Sequence, residues 1–71
     1  MKLQEAAKEF KGWSLYRLGK EMSDIVGLQA IYSWASGRTS PNDKYLKLIC
    51  EKLGCDWSIN LGFYKQGEIN A

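Results

Sequence analysis

Apolar residues recur along this chain at intervals of three and four, the spacing of helices that bury one face. Leu3, Ala6, Ala7 and Phe10 fall at i, i+3, i+4 and i+7, which predicts a first helix over about 2–11, stopped by Gly12. Leu15, Leu18, Gly19 and Met22 form the buried side of a second helix over about 14–22. Ser14 is its N-cap, and Trp13 before it is placed to fold back over the first turn as a hydrophobic staple. Gly19 costs roughly 1 kcal/mol of helix propensity against Ala, so its presence predicts a second helix crossing close at that point.

Leu28, Ile31, Trp34 and Ala35, at i, i+3, i+6 and i+7, predict a third helix over about 28–36, ended by Gly37. Its other face carries Gln29, Tyr32, Ser33 and Ser36, all polar and none charged. The connection before it, Ser23 to Gly27, holds Ser23 and Asp24, either of which could cap an earlier start. Ser40-Pro41-Asn42-Asp43 reads as the start of a fourth helix, with Ser40 as N-cap, Pro41 at the first helical position and Asp43 reaching back at N3. This helix buries Leu46, Ile49, Cys50 and Leu53 and stops at Gly54. Asp56 is expected to cap a short fifth helix in which Trp57, Leu61 and Tyr64 share a face, and the tail from Lys65, KQGEINA, to fray. The expected architecture is therefore all-α, five short helices in one domain spanning 1–71.

Composition narrows this picture without redirecting it. Seventy-one residues bury only ~60% of the unfolded chain's surface, so stability is marginal. With 45% hydrophobic and 13% aromatic residues, the chain can build a core and does not read as disordered. The net charge of +2 is spread thinly: residues 1–27 carry five cations against four anions, 28–44 two against one, and 45–71 three of each. That slight tilt is compatible with a polyanionic partner but does not point to one. No apolar run approaches ~18 residues, and the N-terminus lacks the apolar centre of a secretory signal, so no membrane association and a cytoplasmic, reducing compartment are expected. Cys50 and Cys55 then read as free structural thiols; their spacing fits no zinc pattern and the chain has no His, so no metal or other cofactor is expected. The lack of His, of a glycine-rich phosphate loop and of an activating partner for Cys50 argues against an enzyme.

The third helix carries the candidate chemistry. A half-buried helix with an uncharged hydrogen-bonding face, followed by a cation and two hydroxyls at Arg38, Thr39 and Ser40, suits insertion into the DNA major groove. The run IYSWASGRTSP followed by LKLICEKLGC resembles the Cro/CI-type (XRE-like, lambda-repressor-like) helix-turn-helix family, and the likeness extends from Trp13 to Leu61. Ile31, Trp34, Gly37, Arg38, Pro41, Leu46, Ile49, Leu53 and Gly54 fall in its register, while Ser14, Leu18 and Gly19 match the scaffold helix.

The resemblance implies a sequence-specific, double-stranded DNA-binding regulator of phage or bacterial repressor type that acts by occupying an operator. By the same likeness Gln29 reads bases, its amide pairing with adenine N6 and N7. Ser33 lies one turn on, Tyr32 reaches sugar or phosphate through its hydroxyl, and Leu28 either touches thymine methyls or joins the core. Arg38, Thr39 and Ser40 match the family's backbone-contacting loop. The start of the fourth helix, with Asn42 and the Asp43 amide, can bind a phosphate, and Ser14, Arg17 and Lys44 are further backbone candidates.

Two departures stand out. The chain is about two residues longer between Leu18 and Ile31, and Leu15 replaces the glutamine that often clamps a phosphate. A homodimer on a palindrome with half-sites ~34 Å apart is expected, since one short helix reads few base pairs. Trp57, Phe63 and Tyr64 serve either as its surface or to close the core. The alternative function is a protein-interaction module, antitoxin-like or anti-repressor, on the same fold.

Overall fold

The computed structural model describes residues 1–67. Among these, four helices, α1 (Leu3–Lys11), α2 (Leu15–Glu21), α3 (Leu28–Ser36) and α4 (Asp43–Leu53), are followed by two strands, β1 (Cys55–Ser58) and β2 (Gly62–Lys65). Each helix contributes part of its expected stripe to one core: Leu3, Ala6 and Ala7 from α1, Leu18 and the cap residue Met22 beside α2, Ile31 from α3, Ile49 and Leu53 from α4, with Phe10, Leu15, Trp34, Ala35, Leu46 and Cys50 half-buried against it. Cys55 and Phe63 close that core from the strands, and no polar or charged residue among those described is buried.

The early boundaries follow the sequence signals. Ser14 Oγ accepts from the Arg17 amide at 3.1 Å and caps α2. Gly19 is buried against the Leu28 side chain: a Cβ there would overlap Leu28 Cδ1 and lie 3.7 Å from its Cα. This is the close helix crossing that the glycine predicts. The longer α2–α3 connection is organised around Met22, whose carbonyl accepts from both the Ile25 amide (2.9 Å) and the Val26 amide (3.0 Å). The third helix does not start early: Gly27 is its N-cap, without a side-chain cap hydrogen bond.

Three sequence expectations are corrected. First, α4 is capped by Asn42, not Ser40; Asn42 Oδ1 accepts from the Tyr45 amide at 3.0 Å. Pro41 therefore precedes the cap, where it and Leu46, both half-buried, occupy the N′ and N4 positions of a hydrophobic staple. Second, there is no fifth helix. Residues 55–65 form an antiparallel hairpin pairing Cys55 with Lys65, Asp56 with Tyr64, Trp57 with Phe63 and Ser58 with Gly62. The i, i+4, i+7 spacing of Trp57, Leu61 and Tyr64 imitates a helix, but aromatic β-formers flank a three-residue loop ended by Gly62 at φ +69°. Ser58 Oγ accepts from the Leu61 amide at 3.1 Å and closes the loop.

The outer edge of β2 is paired by the other end of the chain. The Met1 amino group donates to the Leu61 and Phe63 carbonyls (2.8 and 2.7 Å), and the Phe63 amide donates to the Met1 carbonyl at 2.9 Å. Third, Lys65 ends β2 rather than beginning a frayed tail; residues 68–71 of that tail lie outside the described residues.

Candidate nucleic-acid interface

The outward side of α3 borders a groove of about 740 Å³ lined by Gln4, Leu15, Gln29, Tyr32, Ser33, Ala35, Ser36 and Arg38. Its orientation follows from the apolar stripe. Ile31 is fully buried and Trp34 is half-buried, its ring 5.5 Å from that of Tyr45 on α4. With that side anchored, Gln29 and Tyr32 are exposed and Ser33 half-exposed. The end of α3 is fixed as firmly as its roll. The Gly37 amide donates to the Trp34 carbonyl (3.2 Å) and the Arg38 amide to the Ser33 carbonyl (3.1 Å), the paired bonds of a Schellman cap with Gly37 at φ +81°. The Arg38 backbone is thus pinned while its side chain stays exposed at the rim. Arg38 is the one formal charge in the lining and no carboxylate accompanies it.

The candidate residues divide by location. Gln29, Tyr32, Ser33 and Arg38 come together in this groove. Leu28 is half-buried against Gly19, at the inner edge of the face. Ser33 Oγ and Thr39 Oγ1 share a hydrogen bond at 2.8 Å, while Thr39 and Ser40 line a second groove described below. Ser14 and Asn42 spend a side-chain oxygen on helix caps. Arg17 is held along α2, donating through Nε to Glu21 Oε2 at 2.9 Å and lying 5.6 Å from the Trp13 ring centroid. Lys44 is exposed near the start of α4 and does not line the groove.

Sequence reasoning missed Gln4. It lies on the first turn of α1 and reaches the same groove beside Leu15 and Gln29. No local signal marks it, because its neighbours there are brought up from α2 and α3 by the fold. Leu15 cannot hydrogen-bond a phosphate, whereas Gln4 brings an amide to the same lining.

The cysteines take no part in this surface. Both are free, Cys55 is buried and Cys50 half-buried, and burial raises both thiols, Cys55 to about 12. Among the described residues no group of three or more His, Cys, Asp and Glu could hold a metal ion, and no helix is long and apolar enough to cross a membrane.

Comparison with known proteins matches a family model described as helix-turn-helix over residues 3–59, which takes in all four helices and β1. No curated protein and no solved structure matches the chain. The matched span, the glycine-seated crossing of α2 and α3 and the solvent-facing polar side of α3 agree. The chain belongs to the XRE-like (Cro/CI-type) helix-turn-helix family of DNA-binding regulators.

Proposed function

We propose that this protein is a sequence-specific, double-stranded DNA-binding transcription regulator of the phage or bacterial repressor kind, which places α3 in the major groove and acts by occupying an operator. The observation that carries the reading is the groove along α3: amides and hydroxyls, one cation, no carboxylate, above a fully buried Ile31. Carboxylates would repel the phosphates on either side of a major groove, whereas neutral donor–acceptor groups can read base edges.

Each residue has a distinct part in this reading. Gln29, on the first turn of α3, presents an amide able to pair bidentately with adenine. Ser33 follows one turn later, its hydroxyl oriented by Thr39. Arg38 neutralises a phosphate at the rim, and the Tyr32 hydroxyl and the Gln4 amide add backbone contacts. The first amides of α3, which have no side-chain cap, favour a phosphate at that end of the helix.

Selection of bound duplexes from a random pool at two salt concentrations tests the proposal. A recovered motif with affinity falling steeply as salt rises is the expected result. Recovery without enrichment, or binding indifferent to salt, would overturn it in favour of a protein-interaction module on the same fold.

A further inference from the structure

The loop after α3 folds back onto one residue. The Ser33 carbonyl accepts from the Arg38 amide (3.1 Å), the Thr39 amide (3.4 Å) and the Ser36 hydroxyl (3.0 Å). Ser33 Oγ in turn lies 2.8 Å from Thr39 Oγ1, and either atom can be the donor. Neither hydroxyl has a second partner among the described residues. Two hydroxyls hold two protons, and the bond between them spends one. Whatever takes the other proton decides what Ser33 can show to a base.

We propose that Thr39 is a specificity-determining residue. Its hydroxyl donates to a DNA phosphate, which obliges Ser33 to donate to Thr39 and to present only lone pairs to the base edge. Ser33 then reads the exocyclic amino group of adenine or cytosine. The inference deepens the DNA-binding reading and rests on it.

A backbone phosphate accepts hydrogen bonds and has no proton to give. With the Thr39 proton committed to it, Ser33 can close the 2.8 Å contact only as donor. In the major groove adenine and cytosine each present an amino donor, whereas guanine and thymine present acceptors alone. An acceptor-only hydroxyl can bond the first two and not the others.

Two features bring the phosphate to Thr39 from one side. Arg38, directly before it, is exposed at the rim of the α3 groove and is the one formal charge in that lining. On its other side Thr39 lines a second groove, of about 730 Å³, between the first residues of the chain, the loop before α4 and the tip of the hairpin. Four large apolar side chains are exposed there, and the Met1 amino group and Lys2 stand against Glu5 and Asp43. Compensated charge and apolar surface hold no attraction for a polyanion. The phosphate is therefore taken on the Arg38 side, next to the Ser33 hydroxyl.

The test is selection of bound duplexes from a random pool by the full chain as wild type, Ser33→Ala, Thr39→Val and Thr39→Ser. The position whose preference Ser33→Ala flattens should hold adenine or cytosine in the wild type, favoured roughly 2- to 12-fold, as one neutral hydrogen bond allows. Thr39→Val keeps the branched shape without the hydroxyl. Ser33 is then free to donate as well, and guanine and thymine should gain acceptance at that position alone. Thr39→Ser should keep the wild-type preference. A Thr39 that only supported the loop would lower affinity for every duplex without reordering the bases.

Thr39 is exposed and Ser33 half-exposed, so the variants should keep wild-type circular dichroism. A measurement on the wild type alone stands beside them: removing the exocyclic amino group from the base at that position should cost the same factor. A Ser33→Ala variant that flattens no position, guanine or thymine at the flattened one, an unchanged base order in Thr39→Val, or no loss on removing the amino group would overturn the proposal and leave the DNA reading standing. A pool from which none of the proteins enriches a duplex would overturn both.

Discussion

The two regions that flank α3 are held by contacts of different range. On one side Leu28 closes onto Gly19, nine positions earlier, and the Met22 carbonyl gathers the turn between them. On the other the hairpin is fastened by Met1, whose backbone meets Leu61 and Phe63 from 60 and 62 positions away. The first region presents a groove with amides, hydroxyls and a single cation, the second a groove with balanced charge and four exposed large apolar side chains. Local packing fixes the orientation of α3, and long-range pairing builds the surface beside it. Both regions nevertheless share one core, since Ile31 and Phe63 lie in the same buried cluster.

That shared core gives the largest expected effect. Ile31→Ala should cost about 2–5 kcal/mol and Phe63→Ala about 3–5, each through a single cooperative transition in thermal melts. Two separate transitions, with the helices outlasting the hairpin, would show that the regions fold independently.

Two glycines sharpen the contrast. At Gly62, φ is +69° and an added Cβ would lie 2.7 Å from the Met1 carbonyl oxygen and 3.2 Å from the Met1 nitrogen, backbone atoms with no side chain's freedom to swing away. Gly62→Ala should cost at least about 1 kcal/mol. At Gly19 the obstacle is the far end of the Leu28 side chain, which can swing away. Gly19→Ala gains roughly 1 kcal/mol of helix propensity against an overpacking cost of about 1–3 kcal/mol, so its net loss should be smaller. The loss should shrink further when Leu28→Ala is combined with it in a double-mutant cycle.

Stability should also fall with rising pH at the junction between the regions. Burial, then the neighbouring Cys50 and Asp56, pushes the Cys55 thiol from 9.0 up to about 12. Between those values the unfolded chain gives up this proton while the folded one keeps it. The contribution is intact below pH 9.0 and erodes above it, by up to about 1.4 kcal/mol per pH unit. Denaturant titrations of the wild type and Cys55→Ala across that window should show a slope present in the first and flattened in the second.

The regions differ equally in how far the sequence reveals them. All four helices are legible because each buried stripe, such as Leu3, Ala6, Ala7, is written at local spacing, and Gly19 announces its own crossing. The polar face of α3 follows once Ile31 and Trp34 are turned inward. The hairpin is not legible in that way. Trp57, Leu61 and Tyr64 repeat at helical spacing, and what decides against a helix is an edge partner, Met1, that no local window contains; only the Gly62 turn, between Cys-Asp-Trp and Phe-Tyr, signals strands. Gln4 is hidden for the same reason. Ser40 reads as the cap of α4 because Pro41 follows it, but Asn42 takes that place, leaving Pro41 and Leu46, both half-buried, at the N′ and N4 positions.

On the DNA side the smallest change is expected at the rim. Arg38→Ala should weaken specific and random duplexes alike and lower the salt slope by about one unit. Equal affinity before and after the change would remove Arg38 from the interface.

The most direct measurement compares Gln29→Ala with the wild type on a selected duplex and on a random one at the same salt. A base contact worth ~1–3 kcal/mol predicts a loss of roughly 5- to 150-fold on the selected duplex and none on the random one. An equal loss on both, or none on either, would contradict the claim that this face of α3 reads sequence.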